Sequence, residues 1–402
     1  MDQKRQEEIA LYFDSLRTLE KSPESVKAIT SNFDAMLRES ADAAFLANQV
    51  GAIAALYRKW GLFSETVAVC EKALGFITSV KGENSAEYLS VLNIRGESEY
   101  YFGELLMAER TFRSVLKARE KNVGANVLDL VESYSNMALV SKARVDYGKS
   151  EKFYLKALRL CEHGKLENTI EYLQVLTNLG VFYRVCGLYE EAEPLYLKAY
   201  ETAKTTLSEA HPQLALILNS LGALYCYMGQ YEKSEGFFKC IYERIDSDSS
   251  GSERELAQVL NNLAGLYTRI GQYDEAEPFF ERAKTICVEL LGSKHFYTLQ
   301  TSLNLINNLL LKDEPEKALE HLKVTKPVCF QNFPPTHIIC IAAELYHGQA
   351  LYQTGDYSAA ETCLSSSLQN AETSLGAYHP LTCEILLQRG ILDTVTGRRD
   401  QA

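Results

Sequence analysis

Three stretches of this chain say nearly the same thing. "NLGVFYRVCGLYEEAEPLYLKA" stands at 178–199, "SLGALYCYMGQYEKSEGFFKCI" at 220–241 and "NLAGLYTRIGQYDEAEPFFERA" at 262–283, each 42 residues after the last. Stepping by 42 in both directions from Gly187 reaches Gly61, Gly103, Val145, Gly229, Gly271, Asp313, Gly355 and Gly397. Seven of these nine positions are glycine, in register along the whole chain, although the sequence holds only 23 glycines. A period of this length with no insertion or deletion restricts the chain to an array of one repeated supersecondary unit.

The columns around the glycine say what the unit is. Seven positions before it stand small residues: Ala54, Gly96, Ala138, Gly180, Gly222, Ala264, Gly348 and Gly390. Four before it stands a tyrosine, at Tyr57, Tyr183, Tyr225 and Tyr267. Small residue, then tyrosine three later, with leucines on the same face, is the apolar stripe of a helix. The glycine ends that helix, where positive φ is needed. A second helix then opens on acid, such as Glu190 and Glu191 or Asp274 and Glu275, which complements the helix dipole. One such hairpin cannot bury both faces, so stacked hairpins complete the core.

The expected fold is therefore all-α, a solenoid of antiparallel helix pairs. Residues 1–40 read as an N-terminal helical cap, with two helices over 4–38 split by "KSPES". Residues 41–376 read as eight helix pairs, and 377–402 as a capping helix or a ninth repeat cut short at "RRDQA". Leu381, Ile385, Leu386, Leu392 and Val395 would then leave an apolar face on that last helix, a place for self-association.

These columns resemble the tetratricopeptide repeat, in the 42-residue form found in kinesin light chains and nephrocystin-like proteins. The resemblance rests on "NNLAGLYTRIGQYDEAEPFFERA" at 261–283, with "LGSKH" at 291–295, "EAHP" at 209–212 and "LGAYHP" at 375–380 as linkers. It implies a right-handed superhelix whose first helices line the concave face. Residues 1–40 are too short for the heptad coiled coil that precedes the repeats of kinesin light chains, so a motor-subunit role is not expected. The repeats that clamp chaperone C-termini need a lysine in the column Gly51, Asn93, Ser135, Thr177, Asn219, Asn261, Leu303 and Leu345, and it holds none.

Composition narrows the work such an array can do. The net charge of −12, from 53 acidic and 41 basic residues, disfavours a nucleic-acid backbone as partner. The N-terminus lacks an apolar leader and no long apolar run suggests a membrane span. Ten cysteines without a C-x-x-C pair fit a reducing, cytoplasmic location. No phosphate loop, dinucleotide fingerprint, nucleophile elbow or H-E-x-x-H helix is present, so neither an enzyme nor a cofactor is expected.

What remains is a binding surface. Ten and nine positions before the anchor lie amides, Asn136, Asn178, Asn219, Asn261, Asn262 and Asn304, which can donate to and accept from an extended peptide backbone. They can equally brace a neighbouring helix. Three and two before the anchor come Lys142, Arg184 and Arg269, with Tyr227 sharing the columns. A basic groove in an acidic protein selects acidic peptides, although cations near a helix C-terminus need no such purpose. His211, His295, His337 and His379 open first helices at equal spacing, which fits a turn role. His337, Cys340 and His347 match no standard metal spacing, and no metal is expected. The function read here is a scaffold that holds a partner's peptide segment. The alternative is a regulatory or sensor array attached to an effector domain absent from this chain.

Overall fold

The computed structural model describes residues 22–39, 42–122, 124, 126–209, 211–247, 253–377 and 379–397. The expected helix within 4–21 and the second helix of the last repeat lie outside them, as does most of "DSDSSGS". Among the described residues the chain is helical with no strand. Packing divides it into two compact units, 1–140 and 141–402, a division that the repeat register does not mark.

The first unit holds α1 (Pro23–Arg38), α2 (Ala43–Trp60), α3 (Phe63–Lys81), α4 (Ala86–Phe102), α5 (Leu105–Lys121) and most of α6 (Val127–Ala143). Its core joins Ile29, Phe33 and Met36 of α1 to Tyr57 and Trp60 of α2 and Ile77 of α3, all buried. The second unit continues with α7 (Tyr147–His163), α8 (Ile170–Val185), α9 (Tyr189–Thr206), α10 (Pro212–Tyr227), α11 (Tyr231–Ser247) and α12 (Glu253–Arg269). It ends with α13 (Tyr273–Leu291), α14 (Phe296–Leu311), α15 (Pro315–Asn332), α16 (Ile338–Gln353), α17 (Tyr357–Ser374) and α18 (Pro380–Val395). From α7 to α18 neighbouring helices pack in sequence order, and first helices of successive repeats also touch, α8 on α10 and α10 on α12.

Four glycines of the small-residue column, Gly96, Gly180, Gly222 and Gly348, are close approaches. A Cβ built on Gly180 would lie 2.6 Å from Cε1 of Tyr196, and one on Gly222 2.6 Å from Cε1 of Phe238. The second helix thus seats its ring directly on the first helix's backbone. The anchor then turns the chain: Gly187 has φ +76°, and Leu188 N donates to Tyr183 O at 2.9 Å. Val145 and Asp313 stand where glycine is missing, yet they take the same left-handed conformation, at φ 60° and 64°. The fold imposes the turn, and those two side chains bear its strain.

A recurring polar link stitches one repeat to the next. Tyr183, Tyr225 and Tyr267 donate their hydroxyls to Glu151, Glu193 and Glu235 of the preceding repeat, at 2.9, 2.8 and 2.8 Å. Burial, then the carboxylate, pushes each of these phenols up to about 12. Each link spans 32 residues, so the same bond recurs with the period of the chain. The four histidines do cap helices: Nδ1 of His211, His295, His337 and His379 accepts the backbone N–H two residues on, at 3.1, 3.2, 3.2 and 3.1 Å.

On α18 the apolar residues divide. Ile385 and Leu392 are buried, whereas Leu386, Leu387, Ile391 and Val395 are exposed. Of the five residues expected to be exposed, only Leu386 and Val395 are; Ile385 and Leu392 are buried and Leu381 is partly buried against the core shared with α16 and α17.

Candidate functional site

In the second unit, the first helices α8, α10, α12 and α14 face a groove of about 700 Å³. Six of the residues singled out in the sequence line it: Arg184, Tyr227, Asn261, Asn262, Arg269 and Asn304. Tyr227, at the end of α10, is 43% exposed and lies between two guanidinium groups. Arg184 of the preceding repeat sits 5.0 Å from its ring centre, and Arg269 of the following repeat 4.4 Å. The repeat geometry causes this, because positions 43 and 42 residues apart on adjacent first helices face one another. Neither arginine pairs with a carboxylate among the described residues, although acidic residues outnumber basic ones in the chain. Nε of Arg184 is buried with no hydrogen-bond partner, beside the equally unpartnered hydroxyl of Tyr196. Burial pushes that phenol up to about 12, against the opposing pull of the Arg184 charge.

Lys142, at the end of α6, adds to the same cationic line. Burial, then the charge of Arg184, brings its ammonium down to about 8. A cation held under such pressure gains from any anion that approaches it.

The amides are partly engaged with one another. Nδ2 of Asn262 donates to Oδ1 of Asn219 at 2.9 Å, and Nδ2 of Asn304 to Oδ1 of Asn261 at 3.0 Å. In the first unit Nδ2 of Asn136 donates to Oδ1 of Asn93 at 3.0 Å. Every pair spans 43 residues, one repeat plus one position, and braces one first helix on the next. Asn219 is buried, and its own Nδ2 has no partner. Asn178 is exposed, and the position 43 residues before it is Ser135, which has no amide to offer. Each paired amide keeps groups to spare: Asn262 retains its carbonyl and Asn261 its NH₂ at the groove.

Gln300 and Asn307 also line the groove and were not singled out. They belong with Asn304 and Leu311 to one stripe of α14, at spacings of three and four. Following the helical period beyond two columns would have found them.

Residues 171–246 and 255–325 match the family model of the tetratricopeptide repeat. Those two segments are tetratricopeptide repeats. The groove falls largely within the matched segments, and the same register carries the repeat on to Gly355. No curated protein matches the chain in sequence. Among solved structures, it is similar to a Rap protein complexed with Competence and Sporulation Factor. That match has 11% identity and a TM-score of 0.54, over 94% of this chain and 99% of that one. It is also similar to the apo form of the quorum sensor NprR from B. thuringiensis, at 13% identity, 94% and 96% coverage and TM-score 0.54. NprR in complex with its cognate peptide NprX gives 12%, 94% and 100%, and 0.52. At such identities the likeness is one of fold. No helix among the described residues is long and apolar enough to cross a membrane.

Proposed function

We propose that the tetratricopeptide repeats hold an extended peptide segment of a partner, with an acidic side chain seated on Arg184, Tyr227 and Arg269. The observation that carries this is the pair of guanidinium groups flanking an exposed tyrosine with no carboxylate of their own. An Arg fork recognises a carboxylate bidentately, and the ring supplies contact area at low entropy cost. The free carbonyl of Asn262 and the NH₂ of Asn261 would then meet the peptide backbone, each bond contributing roughly 0.5–1.5 kcal/mol.

The similar folds of Rap and NprR support the reading, since both are seen with a factor or peptide bound. They also favour the sensor version of it, because NprR is a quorum sensor. Scaffold and sensor share the groove and differ in what occupancy does.

The test is fluorescence polarisation with labelled extended peptides, acidic and charge-neutral, at low and high salt. The acidic peptide should bind more tightly and lose affinity with salt, and Arg184→Glu/Arg269→Glu should abolish the preference with helicity unchanged. Affinity untouched by that double reversal would remove the groove as the site.

A further inference from the structure

Away from the groove, α15, α16 and α17 bring four chemically distinct side chains to one half-buried point. Glu344 and His347 lie one turn apart on α16, and Cys363 reaches them from α17; their ligand atoms all lie within 4.8 Å of one another. Sγ of Cys363 is 3.3 Å from Nδ1 of His347. Lys326 of α15 inserts its ammonium, 2.8 Å from Oε2 of Glu344 and 3.0 Å from Nδ1 of His347.

An ammonium can only donate, so Nδ1 of His347 must be the unprotonated ring nitrogen. Its lone pair, the carboxylate and the thiol therefore converge on a point that a monovalent cation already occupies. We propose that this cluster is a binding site for a divalent metal of the zinc class, with Glu344, His347 and Cys363 as ligands and Lys326 as the cation it displaces.

The donor set suits such an ion: nitrogen, sulfur and carboxylate oxygen are what zinc takes, with water in an open fourth position. Bond lengths of about 2.0–2.1 Å to nitrogen and about 2.3 Å to sulfur put the two ligand atoms about 3.5 Å apart in a tetrahedron. The observed separation is already close to that. The charges balance as well. Now the site holds an ammonium and a carboxylate, net zero. With metal bound, the Cys363 thiol gives its proton to solvent and forms the metal–sulfur bond. Dication, carboxylate and thiolate again sum to zero, and Lys326, still protonated, swings its flexible stem outward. A half-buried point thus exchanges one cation for another without gaining net charge.

Cobalt(II) titration of the intact chain tests this, because a cobalt–thiolate bond absorbs strongly in the near ultraviolet. One equivalent should produce that band, and zinc should displace it. Cys363→Ser should remove the band while the other nine cysteines remain. Lys326→Met should tighten cobalt binding by about tenfold, since it removes the competing cation. That rise separates a metal site from a merely structural ion pair. No thiolate band in the native chain, a band surviving Cys363→Ser, or no gain in Lys326→Met with helicity intact would each overturn the proposal.

Discussion

Val145 shows how far the array coerces a single residue. A β-branched side chain at φ 60° is a rare conformation, held because Asp146 N must donate to Ser141 O at 2.9 Å to close the helix. Left-handed backbone costs about 1–2 kcal/mol for an L residue, while glycine adds back unfolded-state entropy of about 0.4–1 kcal/mol. Val145→Gly should therefore stabilise the protein by roughly 0.5–1 kcal/mol. Asp313→Gly should gain less, because aspartate tolerates this region better. Denaturant midpoints of the two variants check the order, and equal shifts would contradict it. Lys142 supplies a prediction in pH. Its pKa, ordinarily near 10.5, is depressed to about 8, so an anion arriving beside Arg184 must favour its protonated form. Affinity for an acidic peptide should hold below pH 8 and fall as pH rises through it, and Lys142→Met should flatten the profile. Folding runs the other way: the depressed pKa contributes stability in full above 10.5, lost as pH falls through about 8.

At the scale of the helix, the close approach between partners explains which substitutions the array can accept. Gly222 and Gly390 occupy the same column, yet a Cβ on Gly222 meets Phe238 at 2.6 Å while one on Gly390 meets nothing within 4 Å. Gly222→Ala should cost about 1–3 kcal/mol through overpacking. Gly390→Ala should be neutral or gain up to about 1 kcal/mol, as alanine does in an open helix position. Thermal melts of both variants decide it, and a loss at Gly390 would mean that something covers that face. This column was legible from spacing alone, because Gly96, Gly180, Gly222 and Gly348 recur where a second helix meets the first. The amide pairs were less so. Asn262 and Asn219 read either as rungs of a peptide ladder or as a brace between helices, and spacing alone did not show that the offset of one helix against the next lets them hydrogen-bond to each other. The cluster at Glu344, His347 and Cys363 could not be read at all. Spacing grouped His347 with His337 and Cys340, whereas His337 caps α16 and the thiol that reaches His347 comes from the neighbouring helix.

For the whole molecule, the seven-of-nine glycine register carried nearly all of the architecture. The groove needed more, since it depends on which stripe of each first helix faces its neighbours. The links between repeats, Tyr183 to Glu151 or Asn262 to Asn219, have a consequence for how such a chain can change. Because every partner lies a constant number of residues away, the sequence behaves like text in a language with fixed-length words. Excising residues 188–229 joins Gly187 to Gln230 and leaves Tyr183 with Glu151 and Tyr267 with Glu235. Such a 42-residue deletion should still yield a helical protein that melts cooperatively, although without Tyr227 it should not hold an acidic peptide. Removing only 40 residues, 188–227, leaves Met228 and Gly229 as two extra residues at the junction, so the fused repeat alone loses register while Tyr267 and Glu235 stay 32 residues apart, and that variant should melt at a lower temperature than the 42-residue deletion. A spelling error of two residues would then be worse than the loss of a whole word.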